Sequence, residues 1–370
     1  MAFLLLFTIP LLFAIGSFIL LKGITWKEFL VQVLAQIMVA GASVAIIYFS
    51  DTHDTEIWNA IVTGKKQVWV PCSHSYPCHC HEVCSGSGKY ETCSEHCDTC
   101  YEHPNDWDWD VYNSIRETIT INRIDRRGSI EPPRWTAVII GEPTSTSHWY
   151  TNYIKAAPGT LFKHQGLVEQ YKQHLPPYPG NVYDYYRLDR LVLVNGASVD
   201  FPKDWNKDLS DINAKLGHYK QANLIIVLVR DLPSDYFYAL EEAWIGGKKN
   251  DSVLIIGVDS QLAPKWANVM AWTLDEMLKV KLRDDIMDLP TLTRETVLAA
   301  FEQDVSKYYE RKPMADFEYL KASITPSTNE LIISFIIGIV IALGLTYYFN
   351  RVDVFNDEGR NRLPKRRKRY

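Results

Sequence analysis

The chain has 370 residues, 44 acidic against 39 Lys and Arg side chains, and a formal net charge of −5. That balance leaves no concentrated basic surface for phosphate contacts, which excludes a nucleic-acid-binding body, while the length is enough for two folded regions outside any membrane segment. Average composition conceals three long apolar segments at the two ends, and these set the expected class as an integral membrane protein.

Residues 2–21 carry no charge over the length a helix needs to cross a hydrocarbon core. A secretory signal opens with Lys or Arg, and none occurs before Lys22. An uncleaved span with an external N-terminus is therefore expected, a cleaved signal being the alternative. Residues 29–49 form the second expected span, in which Ala40, Gly41, Ala42, Ser43 and Ala45 permit close helix approach. Gln32 and Gln36 share one helical face. They read either as interhelical hydrogen-bonding or homo-oligomer contacts, or as an interfacial helix end. Residues 331–349 are the third expected span, and a basic tail, 350–370, follows. The positive-inside rule places that tail and the hinge at 22–27 in the cytoplasm and residues 50–330 outside, as in a bacterial inner-membrane protein.

All seven cysteines and half of the ten histidines lie between Cys72 and His103. The sharpest groups are Cys72-Ser73-His74, Cys78-His79-Cys80 and the run from Cys97 through Cys100 to His103. Closely spaced thiolates converge readily on one tetrahedral ion, so Cys78, Cys80, Cys97 and Cys100 form one candidate set for structural zinc, with Cys72, His74 and His103 as further ligands. The competing reading is a disulfide-stapled loop, which an oxidising exterior favours; the odd cysteine and interleaved histidines weigh against it. Residues 105–110 alternate acid and Trp. Without the Gly and distal Glu of a calcium loop they read as a strand with Trp107 and Trp109 inward and the acids outward. Residues 114–126 and 135–141 are further expected strands, giving a Cys/His-rich β module over 51–142. Residues 143–180, rich in Pro, Tyr, His and Gln, read as a linker.

From 181 to 325, apolar runs alternate with helical patterns. Residues 186–194 end in the run Leu191-Val192-Leu193-Val194, and 200–217 place Trp205, Leu209, Ile212 and Leu216 near one helical face. Residues 223–229 and 252–258 are continuous β-branched runs of buried-strand type, separated by a helix that Gly246-Gly247 terminates. A strand over 266–272 and a helix over 293–309 follow. This order predicts an α/β/α sandwich around a mainly parallel sheet.

The succession Ala243-Trp244-Ile245-Gly246-Gly247-Lys248-Lys249, then Asn250-Asp251-Ser252-Val253-Leu254, resembles the TPM domain family over roughly residues 186–309. In that family a Trp-Gly-Ile-Gly-like helix end leads into an Asn-Gly-Val-Leu-Leu strand, and one membrane span follows the domain. Ile245 directly after Trp244, and Ser252 where Gly is expected, depart from that pattern. The chain as a whole also resembles uncharacterised membrane proteins encoded by large tailed bacteriophages. The TPM resemblance implies a metal-dependent phosphatase as one option, with a divalent cation held by carboxylates such as Asp189, Asp251 and Asp259 near strand ends. Asp231 is a similar position. No Gly-rich phosphate cradle or activated nucleophile accompanies them. The preferred expectation is a noncatalytic envelope protein whose zinc- or disulfide-stabilised module meets a protein partner, the phosphatase and a redox sensor being the alternatives.

Overall fold

A computed structural model describes residues 2–20, 24–85, 92–162, 164 and 166–352. In chain order its principal elements are α1 (Leu5–Leu20), α2 (Trp26–Thr52), β1 (His53–Val70), β2 (Ser75–Ser85), β3 (Thr92–Tyr101), β4 (Asp106–Asn113) and β5 (Thr118–Ile121). There follow α3 (Pro133–Thr136), β6 (Pro143–Thr151), α4 (Leu167–Tyr171), β7 (Leu191–Val194), α5 (Pro202–Lys220), β8 (Asn223–Arg230) and α6 (Tyr236–Ala243). The series closes with β9 (Asp251–Val258), β10 (Pro264–Ala271), α7 (Met277–Met287), α8 (Arg294–Tyr308) and α9 (Thr328–Arg351). Contacts divide the chain into two units. One gathers the described residues of 1–54, 151–161 and 314–352, and the other holds 55–150 and 162–313.

In the first unit, α1, α2 and α9 pack on one another, burying Leu6, Ala40 and Ile47. Thr25 starts α2 and Ser327 starts α9, each accepting from the backbone N–H three residues on, where a Glu returns the bond to the cap. Two segments, Trp26–Thr52 and Thr328–Phe349, are long and apolar enough to cross a membrane. The α1 helix has 16 residues, about 24 Å of rise against a hydrocarbon core of about 30 Å, so it does not by itself reach that length. Gln32 faces the other helices and not a membrane surface: it accepts from Ser17 Oγ at 3.0 Å and donates to Thr346 Oγ1 at 2.9 Å. Gln36 is buried beside Pro10 and Gly338, where a Cβ on the glycine would lie 2.9 Å from the Pro10 ring. Of the two readings, interhelical hydrogen bonding is realised for Gln32, whereas Gln36 is buried at the helix contact with neither amide atom hydrogen-bonded among the described residues. The tail from 353 onward lies outside the described residues.

The second unit contains a sheet of order β10-β9-β8-β7, with β7, β8 and β9 parallel and β10 antiparallel. Leu224 to Val229 are all fully buried, as a strand covered on both faces requires. Leu224, Ile226 and Leu228 meet α5, α7 and α8 on one face, while Ile225, Val227 and Val229 meet α6 and Tyr171 on the other. Each such side chain stabilises by about 1.5–3 kcal/mol, so this strand alone anchors the three layers. The mixed α/β class and the crossover at its centre are as the sequence predicts.

Three segments differ from expectation. Residues 135–141 are not a strand: Pro133 occupies the first turn of α3, a favoured place for proline, and Gly141 turns the chain at φ 96°. Residues 143–180 are more than a linker, since they supply β6 and α4. The strand β6 completes a second sheet of order β5-β4-β1-β6, in the same compact unit as the larger sheet, where two domains were expected. The third segment, β2 with β3, forms a separate antiparallel hairpin.

A buried polar junction joins the two sheets. Arg190 is 1% exposed and spends its guanidinium on Asn223 Oδ1, Ser145 Oγ, Leu188 O, Ser210 Oγ and Asn59 Oδ1. Asn59 on β1 donates in turn to Asn213 on α5. Gly217 lets α5 approach β1 so closely that a Cβ there would lie 2.2 Å from the Asn59 carbonyl oxygen.

Candidate metal centre

The hairpin pairs six of the seven cysteines: Cys78 with Cys100, Cys80 with Cys97, and Cys84 with Cys93. This overturns the expected zinc set of Cys78, Cys80, Cys97 and Cys100. Their sulfurs are bonded to one another across an antiparallel ladder, and a disulfide sulfur is not the thiolate that zinc requires. The physical reason is register. Cys84 lies directly opposite Cys93, Cys78 opposite Asp98 and so diagonal to Cys100, and Cys80 meets Cys97 at the register shift between Cys78 and His81, so each cysteine of one strand reaches one of the other.

Cys72 is the free cysteine, and it is buried. It lies between the end of β1 and the start of β2, with His74 immediately before β2. His103 follows β3, and Asp106 is the first residue of β4. Val70 pairs with Asp106 in the β1–β4 ladder, and a bond from Glu102 N to His74 O at 3.0 Å extends the β2–β3 ladder by one step. Four strand ends therefore meet at one point, which is why residues 34 positions apart become neighbours. Ligand atoms of Cys72, His74, His103 and Asp106 all lie within 4.8 Å of one another.

Four separations in this cluster are close to the edge lengths of a tetrahedral zinc shell, with the two carboxylate oxygens of Asp106 each turned toward one imidazole. Cys72 Sγ stands 3.8 Å from His74 Nδ1 and 3.7 Å from His103 Nδ1. Asp106 Oδ2 lies 3.4 Å from His74 Nδ1 and Oδ1 lies 3.2 Å from His103 Nδ1. Bonds of about 2.3 Å to sulfur and about 2.0 Å to nitrogen and oxygen, at tetrahedral angles, give S···N edges of about 3.6 Å and N···O edges of about 3.3 Å. The donor set of one thiolate, two imidazoles and one carboxylate suits a borderline ion such as zinc.

The same geometry argues against a Cys-His-Asp nucleophile. A relay uses the two nitrogens of one imidazole in opposite directions, one toward the thiol and one toward the carboxylate. Here each histidine turns the same atom, Nδ1, toward both Cys72 and Asp106. All four groups converge on one another, an arrangement that could hold a metal ion.

Surrounding groups hold the ligands in place. Arg123 Nη1 donates to Asp106 Oδ2 at 2.9 Å, and its Nε and Nη2 donate to Asp108 Oδ1 at 3.0 and 2.8 Å. Ser73 N donates to Asp106 Oδ2 at 3.3 Å, and His74 N to Cys72 Sγ at 3.4 Å. Burial raises the Asp106 pKa, but the hydrogen bonds from Arg123, Ser73, Cys72 and His103 outweigh it and hold the carboxyl at about 2, ionised as a metal ligand must be. Trp69, Pro71, Tyr101 and Pro104 line an open groove of about 600 Å³ against Cys72 and His103.

Of the sequence-derived ligands, then, the structure brings together Cys72, His74 and His103 and consumes the other four. Asp106 was assigned to the outward face of its strand, yet it is fully buried; Trp109 is buried as expected, while Trp107, also expected inward, is only half-buried. The available signal was its place three residues after His103, where a short return delivers an acid to a site begun by the histidine.

The candidate carboxylates of the larger sheet do not form a site. Asp189 and Asp251 lie at the N-terminal ends of β7 and β9, whereas Asp259 follows the C-terminal end of β9. Eight residues of strand separate Asp251 from Asp259, about 26 Å. Asp251 is saturated: Asn223 Nδ2 donates to Oδ1 at 2.8 Å, and Lys248 N and Tyr178 OH donate to Oδ2 at 2.7 and 2.8 Å. Burial raises its pKa to about 6 in spite of those bonds. Asp259 closes the β9–β10 turn by accepting from Gln261 N and Ala263 N and pairs with Lys265 at 2.8 Å. Asp189 is exposed and accepts from Tyr183 OH at 3.2 Å. Among the described residues, no group of three metal-ligand side chains includes any of them.

No family model, curated protein or solved structure matches the chain.

Proposed function

We propose that the chain is a membrane-anchored protein whose region outside the cytoplasm presents a disulfide-locked hairpin, oriented at its root by one structural zinc ion, to a protein partner. The observation that carries this reading is the convergence of Cys72, His74, His103 and Asp106 at the junction of four strand ends. Almost every described side chain of β2 is exposed, so the hairpin has no core of its own to fix its direction. A closed zinc shell supplies that constraint, because all four positions are filled by protein and none is left for substrate. Three disulfides fit an oxidising compartment, which supports the extracytoplasmic placement of residues 50–330 in a bacterial inner membrane. A TPM-like arrangement of the larger sheet and a third span through α1 belong to the same proposal. The separation of Asp189 and Asp251 from Asp259 removes the geometric support for a phosphatase.

Full-length protein in detergent micelles tests the reading by elemental analysis and thiol counting. One zinc per chain is expected, with no thiol alkylated in the native state, one after zinc removal and all seven after reduction. Cys72→Ser and Asp106→Asn should each release the zinc. Full zinc occupancy in both variants would sink the proposal.

A further inference from the structure

A second pair of histidines lies farther out on the hairpin. His81 and His96 are direct partners in the β2–β3 ladder, both exposed, with ring centroids 5.9 Å apart and planes 72° to each other. Six residues separate His81 from Ser75 at the hairpin root, about 20 Å along an extended strand, so this pair is separate from the Cys72 centre.

We propose that His81 and His96 form an open binding site for a divalent transition ion, copper(II) foremost. Three observations support it. First, opposed histidines in an antiparallel ladder lie on the same face, and two imidazoles chelating one ion at about 2.0 Å with a right or tetrahedral angle bring their centroids to about 4.5–5.2 Å, within a small rotamer adjustment of the observed 5.9 Å. Second, the disulfides Cys80–Cys97 and Cys84–Cys93 bracket the pair and forbid the register slip that would part it.

Third, the His81 ring is already oriented as in a metal ligand. The ladder carries a bulge between Cys78 and His81, where His79 takes the left-handed φ of 46°. The carbonyl of His79 then lies 3.3 Å from His81 Nδ1. A proton on Nδ1 donates to that carbonyl, which leaves the Nε2 lone pair for a metal, the arrangement that backbone carbonyls impose on ligating histidines.

Among the described residues no group of three metal-ligand side chains includes this pair, so water or a partner's side chain fills the rest of the shell and the ion exchanges. That contrasts with the closed centre at the root. Imidazole pairs favour copper(II) over nickel(II) and zinc(II) by the usual order of divalent affinities.

The site is tested on untagged full-length protein in micelles, with the Cys72 centre first loaded with zinc and copper(II) then added. Wild type is expected to take one further equivalent, with nitrogen couplings from two imidazoles in its electron paramagnetic resonance spectrum. His81→Gln and His96→Gln should each weaken that binding by at least tenfold and the double variant should abolish it; His79→Gln should leave it intact. Because both positions are exposed and flanked by disulfides, the variants fold, and unchanged zinc content checks that they do. Retention of the extra copper by the double variant, or its absence from wild type, would overturn the proposal. Loss of zinc binding at Cys72 would leave the copper result standing, so the two sites fail separately.

Discussion

Arg123 is not itself a proposed ligand, yet by donating to Asp106 Oδ2 it determines what that carboxylate can do. Its guanidinium bridges Asp106 and Asp108, fixing one carboxylate by way of the other and keeping a buried acid ionised. Arg123→Met should therefore weaken zinc binding by about 10- to 100-fold, the usual effect of removing a group that orients a ligand. Competition against a chromophoric chelator would measure this, and an unchanged affinity would contradict the assigned role. Asp304 offers a different single-residue test. It is buried on α8 with Oδ2 unpartnered; burial first, and then repulsion by Asp285 on α7, raise its pKa to about 6, with Lys307 and Lys281 opposing. A raised carboxyl pKa means stability that is full below the unfolded value near 3.8 and lost as pH climbs through about 6. Asp304→Asn should accordingly raise the thermal midpoint at pH 7.5 and leave it nearly unchanged at pH 4. Thermal scans of both proteins at the two pH values would show it, and an equal effect at both would remove the ionisation argument.

At the scale of elements, the hairpin and the larger sheet are stabilised by different physics. The core of β8 rests on apolar burial on both faces and needs no ion. The hairpin rests on three covalent links along its length and, in the proposed reading, on an ion held by the Cys72 cluster at its root. Removing zinc from the full chain should raise amide hydrogen exchange at residues 72–75 and 101–106, with protection of β8 and β9 unchanged. Exchange followed by mass spectrometry would detect the difference; uniform loss of protection through both regions would show that the ion supports the whole unit. The element pattern also explains how sequence reading succeeded and failed. Periodicity located β8, β9 and α8 within a few residues, because burial on two faces leaves an uninterrupted apolar run and burial on one leaves a helical stripe. It missed β6, whose Pro143-Thr-Ser-Thr-Ser-His-Trp sequence lies at a sheet edge and carries little apolar signal.

At the scale of the whole molecule, Trp26–Thr52 and Thr328–Phe349 supply two candidate crossings, and Gln32 and Gln36 lie where helices of the same unit meet. The proposed topology predicts that an impermeant thiol reagent, applied after reduction and zinc removal, labels the hairpin cysteines from outside intact cells. Labelling only after the membrane is opened would reverse the assigned orientation.

The sequence by itself determined that apolar segments flank a mixed α/β region, that cysteine and histidine chemistry is concentrated between 72 and 103, and that parallel strands form the main core. Those properties are written in local composition and period. Which sulfurs bond to each other, which remain free for a metal, and that a buried aspartate completes the set were decided only in three dimensions. Cross-strand register pairs the hairpin cysteines, and the meeting of four strand ends brings Cys72 to Asp106. Spacing along the chain places Asp106 three residues after His103 but does not give the register that pairs the sulfurs or buries the carboxylate.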